Sequence, residues 1–166
     1  MTLRPATQAD LPAVLTLLDS YYTEFDIWQR DDPTYTARTL APTTDGTGYF
    51  LALPSNTPDD IPAACVMLRP LALPNLEPAI QGTAVECKRL YVLPAFRGNK
   101  LAGPLMDLAE QTARTAGHTW IYLDSKAEFQ TAIAMYRRRG YEEIPRFNTN
   151  PQATIFMRKQ LRASSL

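Results

Sequence analysis

The amino-acid sequence predicts an α/β fold, with a mixed β-sheet of six or seven strands flanked by about four helices. Two observations support this prediction. In the first half, the apolar patterns "GYFLAL" and "AACVMLR" stand on either side of a turn-rich linker, which indicates an antiparallel hairpin. In the second half, strand and helix patterns alternate, which is typical of parallel pairing. A length of 166 residues suits one core, so residues 1–166 are predicted to form a single domain.

The first elements are predicted as a strand followed by a helix. "TLRPA" alternates, and Thr7 and Asp10 then have the spacing of a capping box. An apolar stripe at helical spacing follows, formed by Leu11, Val14, Leu15 and Leu18. Residues 28–47 are polar and broken by prolines, and a second short helix is predicted near residues 33–40.

The later helices and strands have clearer boundaries in the sequence. "TAVECKRLYVL" predicts a long strand whose alternation places Glu86, Lys88, Leu90 and Val92 on one face. A helix is predicted over 101–116 and ends at Gly117. "TWIYLD" predicts a strand, "EFQTAIAMYRRRG" a helix, and "YEEI" and "ATIFMRKQL" the last two strands.

The composition is that of an ordinary globular protein. Hydrophobic residues make up 45% and charged residues 20%, and the formal net charge is zero, so nucleic acid is not predicted as the main partner. No apolar run approaches the roughly 20 residues that span a bilayer, and no signal-peptide pattern opens the sequence. Two cysteines and one histidine predict neither a disulfide framework nor a metal site. A cytoplasmic protein without a membrane partner is therefore expected.

The stretch "RGNKLAGP", residues 97–104, suggests an anion site. Proline is tolerated in the first turn of a helix, so Pro104 places the helix start at about residues 99–103. The first N–H groups of a helix have no intrahelical partner and bind anions, above all phosphates. Small residues would let a ligand approach, and Arg97 and Lys100 add positive charge. A plain tight turn, with Gly103 packing the helix on the sheet, is the alternative.

Two motifs together resemble the GNAT superfamily of N-acetyltransferases. "RGNKLA" is similar to the family signature Arg/Gln-x-x-Gly-x-Gly/Ala, although Lys100 replaces the usual central glycine. About 40 residues on, "AIAMYRRRGYEEI" is similar to the landmark Ala-x-x-x-Tyr-x-x-x-Gly-Phe/Tyr. That landmark is filled by Ala132, Tyr136, Gly140 and Tyr141. The resemblance covers about residues 82–161.

The resemblance implies acetyl-CoA as cosubstrate. Its pyrophosphate would bind the amides of residues 97–103, and its pantetheine arm would pair with a strand that splays from residues 119–123. The residues implied in cofactor binding are Leu90, Tyr91, Val92, Arg97, Gly98, Asn99, Lys100, Leu101, Ala102 and Gly103. Phe129 stands where many relatives carry an asparagine that contacts the cofactor, so that contact is expected to be lost, or to be made by Gln130 or by the main chain.

Acetyl transfer needs a base for the amine and a proton for the departing thiolate. The resemblance makes Tyr136 the general acid; a core tyrosine with a locally satisfied hydroxyl is the alternative. Glu86 is the candidate base, acting directly or through a water. It is equally well explained as a surface glutamate paired with Lys88 or Arg89.

The acceptor would be a primary amine of a small molecule or peptide. In this family the acceptor is decided by two regions, here "YYTEFDIWQRDD" and "PRFNTNPQ". Acidic and aromatic residues in the first suit a cationic amine, and they equally suit a solvated helix end. A non-catalytic acyl-CoA-binding module and an unrelated phosphate-binding domain are the alternatives, and a homodimer is left open.

Overall fold

The computed structural model of the chain describes residues 1–54, 61–72 and 82–161. The strands are β1 (Thr2–Pro5), β2 (Gly48–Leu53), β3 (Ala64–Leu71), β4 (Ala84–Val92), β5 (Trp120–Ser125), β6 (Glu142–Glu143) and β7 (Ile155–Gln160). The helices are α1 (Leu11–Glu24), α2 (Pro33–Thr39), α3 (Ala102–Thr115) and α4 (Gln130–Arg138), with single 3₁₀ turns at Gln8–Asp10 and Pro94–Phe96. The predicted order of elements is confirmed. The proline-rich linkers lie largely outside the described residues.

The described strands form one mixed sheet in the order β1-β2-β3-β4-β5-β7-β6. The hairpin prediction is confirmed, because β2 and β3 pair antiparallel from Gly48↔Leu68 to Ala52↔Ala64. The parallel prediction holds for β4 and β5, which pair from Ala84↔Trp120 to Cys87↔Leu123. The predicted mixed α/β fold is therefore the observed fold.

Each face of the sheet is covered by two helices. Helices α3 and α4 pack on one face, where Leu105, Met106 and Tyr136 join a cluster with Val66 and Val85. Helices α1 and α2 cover the other face, with a cluster that includes Val14, Leu18, Leu40, Tyr49 and Met67. No helix among the described residues is long and apolar enough to cross a bilayer.

Local capping starts α1 and α2. The predicted capping box is present, since the Asp10 carboxylate accepts a hydrogen bond from the Thr7 N–H at 2.7 Å. Asp10 also binds Arg4 of β1 at 2.8 Å, which ties the first strand to the first helix. The Asp32 carboxylate accepts from the Tyr35 N–H at 2.9 Å and begins α2 within the range that the sequence predicted.

A β-bulge in β4 overturns the predicted alternation of that strand. The register passes from Met67↔Lys88 to Cys65↔Tyr91, so β4 has one residue more than β3, and Arg89 has φ 57°. Leu90 and Val92 therefore pack on the α3/α4 face. The prediction that they share a face with Glu86 and Lys88 is wrong, because the extra residue reverses the order of faces.

Strands β4 and β5 separate after a short stretch of pairing. Their ladder ends at Cys87↔Leu123, although β4 continues to Val92. Pro94 follows in a 3₁₀ turn and ends the strand. The edge of residues 88–92 that faces β5 thus has no partner strand among the described residues, which opens a slot in the middle of the sheet.

Candidate active site

One cleft of about 1100 Å³ occupies the slot between β4 and β5. It is lined by residues from both faces of the sheet, including Cys87 from the α3/α4 side and Lys88 from the α1/α2 side. Of the predicted site residues, those that line the cleft are Leu90, Tyr91, Val92, Arg97, Gly98, Lys100, Leu101, Ala102, Gly103 and Tyr136. Asn99 and Glu86 do not line it.

The segment before α3 presents free backbone N–H groups to the cleft. Helix α3 begins at Ala102, so Pro104 lies in its first turn as predicted. Within the described part of the chain, no hydrogen bond engages the N–H groups of Gly98, Lys100, Leu101, Ala102 or Gly103. This concentration of unpaired donors at a helix N-terminus is suited to a phosphate group.

The glycines and Lys100 shape this segment. Gly98 has φ 88°, a conformation that favours glycine, and a Cβ atom at Gly103 would meet nothing within 4 Å. The alternative in which Gly103 permits close packing on the sheet therefore has no support. Lys100 has φ 54°, in the left-handed region, which explains on physical grounds why the signature has glycine there.

Arg97 is engaged by the neighbouring helix. Its guanidinium forms a salt bridge with Glu24 at 2.6 Å and its Nε donates to the Val92 carbonyl at 3.1 Å. Arg97 also lies over the rings of Phe25 and Tyr91. The hydrogen bond from Arg97 holds the pKa of Glu24 below its usual value, against the opposing effect of burial. Arg97 therefore links α1 to the segment before α3.

Tyr136 has the environment of a proton donor. It lies on α4, is 7% exposed and lines the cleft. Its hydroxyl forms no hydrogen bond within 1–54, 61–72 or 82–161, whereas the hydroxyl of the adjacent Tyr141 donates to Glu110 at 3.0 Å. Burial raises the pKa of Tyr136 well above its usual value, so the hydroxyl remains protonated at neutral pH.

Glu86 lies beneath the cleft. Its carboxylate is 3% exposed and is bound by Arg69 at 2.8 Å, Lys88 at 3.4 Å and the Asn148 amide at 3.2 Å. Of the two pairings predicted for it, the one with Lys88 is present and Arg69 takes the place of Arg89. The prediction of a surface position is wrong, because β3, β4 and the β6–β7 loop enclose the side chain.

Asp124 completes this network at the end of β5. Lys88 donates to both of its carboxylate oxygens, at 3.0 and 2.8 Å, and Asn148 and Asn150 donate at 2.6 and 3.2 Å. Burial raises the pKa of Asp124, but Lys88 and the two amides outweigh it, so the pKa lies below its usual value. Sequence reasoning missed Arg69 and Asp124, although their positions beside the strand separation follow from pairing.

The two predicted acceptor regions meet at the rim of the cleft. The Gln152 side chain accepts from the Trp28 N–H at 3.2 Å and donates to the Asp26 carbonyl at 2.9 Å. Arg89 reaches the same region, bonded to Asp31 at 3.2 Å. The loop between α1 and α2 and the loop between β6 and β7 therefore form one wall.

The remaining candidates have structural roles. Phe129 packs against Phe25, with ring centroids 4.9 Å apart. Cys87 lines the cleft from the α3/α4 side, but burial raises the pKa of its thiol, so it is not a thiolate nucleophile at neutral pH. His118 bonds Thr83 at 2.9 Å and the Asp45 carbonyl at 2.7 Å, just before β5. Among the described residues, no group of three or more possible ligands could hold a metal.

A mixed sheet that opens between two parallel strands, beside a helix with free N–H groups, defines an acyl-CoA N-acyltransferase fold. The chain belongs to the acetyltransferase (GNAT) family, since the model of that family matches residues 11–141. Acetyl transfer is the activity for which this family is named.

Two curated relatives match the chain over shorter stretches. The uncharacterized N-acetyltransferase YjgM of Escherichia coli (strain K12) is 41% identical over 59 residues, 36% of this chain and 35% of that protein. The IAA acetyltransferase of Azospirillum brasilense is 32% identical over 83 residues, 49% of this chain and 54% of that protein. The matches thus span about a third to about half of these relatives.

Solved structures share the whole fold. A GNAT-family acetyltransferase from Staphylococcus aureus has a TM-score of 0.75 at 17% identity, over 97% of this chain and 99% of that one. Arabidopsis thaliana NAA60, in complex with a bisubstrate analogue, has a TM-score of 0.76 at 18% identity, over 98% and 99%. The NatC complex bound to Gag peptide and CoA gives 0.74 at 16%, over 97% and 98%.

Proposed function

We propose that the chain transfers the acetyl group of acetyl-CoA to a primary amine by direct attack. One observation carries the proposal: a single cleft joins the unpaired N–H groups before α3 to the unbonded hydroxyl of Tyr136. The first feature suits a diphosphate and the second suits a leaving thiolate. Among the structural neighbours, one is bound to CoA and a peptide and another to coenzyme A and N-acetyl-glutamate.

The residues present fit acetyl-CoA. The backbone of residues 98–103 would hold the pyrophosphate, with Lys100 supplying a cation beside it. The pantetheine arm would lie along the free edge of β4 at Leu90, Tyr91 and Val92. Arg97 would join the phosphate contact only by giving up its bonds to Glu24 and the Val92 carbonyl.

The chemistry then assigns one role to each group. The neutral amine attacks the thioester carbonyl, the C–N bond forms, and the C–S bond breaks. Tyr136 gives its proton to the sulfur and regains one from solvent, and the proton lost by the nitrogen leaves the cleft. Because the Glu86 carboxylate does not line the cleft, we propose that it acts on that proton through a water rather than by contact.

A two-step experiment tests the proposal. Calorimetric titration with CoA, acetyl-CoA, ATP and NAD is expected to show micromolar-class binding of the two CoA species only. A panel of primary amines and peptides, assayed for CoA release, is then expected to contain an acceptor. CoA binding without turnover on any amine would favour a non-catalytic acyl-CoA-binding module. No binding at millimolar CoA would overturn the proposed function.

A further inference from the structure

On the acceptor side of the cleft, acidic side chains are paired with arginine and lysine side chains. We call this side the acceptor pocket; it is lined by Arg30, Asp31, Arg69, Lys88, Arg89 and Asp124, together with residues 148–150 and 152. We propose that its substrate is an amine that also carries a carboxylate a few bonds away, and that Arg69 binds this carboxylate. The inference deepens the proposed function and rests on it.

Each of the acids Asp31, Glu86 and Asp124 is paired with a cation. Glu86 does not line the cleft, and its two cationic partners, Arg69 and Lys88, do. Asp124 lines the cleft, but both of its oxygens are occupied by Lys88 and the loop amides. Asp31 is paired with Arg89. The carboxylates of this pocket are therefore already neutralised and are poorly placed to select a cation.

Two aromatic residues of the first acceptor region, Tyr21 at the cleft and the buried Tyr22, are also engaged by arginines. Arg89 lies 6.0 Å from the centroid of the Tyr21 ring and 5.4 Å from that of Tyr22. Arg30 lies 5.3 Å from the Tyr22 centroid as well. A cage for an ammonium group needs free aromatic faces. Tyr21, Tyr22 and Asp31, which suited a cationic amine in the sequence, are thus engaged within the protein.

Arg69 retains the means to bind an anion. Its Nε donates to Glu86 at 2.8 Å. Among the described residues, Tyr35 is the other polar side chain that interacts with the guanidinium. The side chain is 30% exposed and lines the cleft. A guanidinium has five N–H donors, so donors remain for a bidentate bond to a carboxylate. Glu86 fixes the orientation of this group and is, in this proposal, a positioning residue.

The strand register places Arg69 beside the point of transfer. Arg69 pairs with Glu86 across β3 and β4, and the β4–β5 ladder ends one residue later at Cys87. Neighbouring strands lie about 4.8 Å apart, so the guanidinium reaches the region where the amine would meet the thioester. A carboxylate on Arg69 would then hold a nearby amine at the slot.

Matched acceptors test the proposal in the wild-type protein. Amino acids are compared with their carboxamides and with the amines that lack the carboxyl group, at saturating acetyl-CoA. The carboxylate member of the preferred set is expected to have at least a tenfold higher kcat/KM than its two counterparts. In Arg69→Gln this preference should fall by about 10- to 100-fold, mainly through KM for the carboxylate member, while the CoA affinity stays unchanged.

Two further variants guard against loss of the fold. Arg69→Gln leaves Glu86 with fewer partners, so Arg69→Gln/Glu86→Gln removes both charges and keeps a pair of amides. Because it also removes the carboxylate proposed to take the amine proton, its turnover should fall alike on every acceptor, while its loss of carboxylate preference should match that of Arg69→Gln. Arg69→Lys keeps the charge without the planar fork and should recover only part of the preference. Arg114→Gln, on the exposed side of α3, controls for the removal of an arginine.

The outcomes separate the two proposals. Acetylation that prefers the carboxamide, the decarboxylated amine or a peptide N-terminus would overturn the carboxylate inference and leave the proposed function intact. A carboxylate preference in Arg69→Gln and in the double variant equal to that of the wild type would also overturn it. If CoA binds and no acceptor of any kind is acetylated, the proposed function fails, and this inference fails with it.

Discussion

At the scale of single residues, the hydroxyl of Tyr136 gives the clearest prediction. Tyr136→Phe keeps the ring packed against Tyr141 and removes the proposed proton donor. General acid catalysis is worth about 10²–10⁴-fold, so kcat should fall within that range while the CoA affinity stays unchanged. Because a CoA thiolate is already a fair leaving group, the loss should lie toward the lower end. Steady-state kinetics with an active acceptor measure it.

Tyr141→Phe is the matched control for this change. Its hydroxyl donates to Glu110 and Tyr141 does not line the cleft, so this variant should lose stability and keep its kcat. Equal kcat for the wild type and Tyr136→Phe from pH 6 to 9 would remove Tyr136 from the mechanism and return it to the core.

Lys100 gives a second prediction, on stability. A left-handed backbone costs an L side chain about 1–2 kcal/mol, and Lys100 has φ 54°. Lys100→Gly should therefore be more stable than Lys100→Ala by about 1 kcal/mol, as measured by urea unfolding. Both variants lose the same charge, so both should weaken CoA binding by the same factor. Equal stabilities would contradict a strained backbone at this residue.

At the scale of elements, one substitution at the N-terminus of α3 should raise the stability of the free protein and weaken ligand binding. A methyl group at Gly103 enters open space and improves the helix, so Gly103→Ala should stabilise the free protein by about 0.5–1 kcal/mol. The same methyl group occupies the proposed phosphate approach and should weaken CoA binding by about tenfold, or ~1.4 kcal/mol. Thermal unfolding and calorimetry measure the two effects.

Gly117→Ala, at the other end of α3, is the control for that helix. Gly117 has φ 92°, so alanine there should destabilise the protein and leave CoA affinity unchanged. An unaltered CoA affinity in Gly103→Ala would move the phosphate site away from the start of α3.

The N-terminus of α1 predicts a pH dependence. Hydrogen bonds from Arg4 lower the pKa of Asp10 from 3.8 to about 2, against burial and with help from Thr7. A lowered pKa contributes stability that is complete above about pH 5 and is lost as the pH falls through 4 toward 2. The part-exposed Arg4 reduces the contribution to about 1–2 kcal/mol.

Asp10→Asn should remove this contribution and keep the capping acceptor. Urea unfolding at several pH values should show a flatter decline in stability between pH 5 and 2 than in the wild type. Asp19→Asn changes an exposed carboxylate of the same helix and controls for the lost charge. A decline as steep as in the wild type would mean that Asp10 does not stabilise the fold in this way.

At the scale of the whole molecule, the slot between β4 and β5 should confine the effect of CoA binding to the strands and the segment that line it. CoA binding should slow hydrogen exchange at residues 88–92 and 97–103 and leave β1 and β2 unchanged. ATP carries phosphates but no pantetheine. Residues 88–92 should therefore be protected by CoA and not by ATP, even at an ATP concentration that saturates a phosphate site. Protection spread evenly over all strands of the sheet would contradict a ligand held in the slot.

The order of elements and the form of the segment before α3 follow from the sequence alone. The hairpin, the alternating strands and helices, and the first-turn position of Pro104 are local properties of periodicity and of a fixed proline φ, and they were predicted correctly. The same holds for the capping box of Thr7 and Asp10. The single domain, the cytoplasmic location and the open question of a homodimer stay predictions.

Which groups reach the cleft depends on long-range pairing in the folded chain. The bulge at Arg89 reverses the faces of β4, and no propensity of "CKRLYVL" reveals it, since it depends on pairing with β3. Glu86 does not line the cleft because Arg69, 17 residues earlier in the chain, is paired with it across the sheet. Whether a charge selects a ligand or is satisfied within the protein depends on long-range partners, and a local pattern cannot specify them.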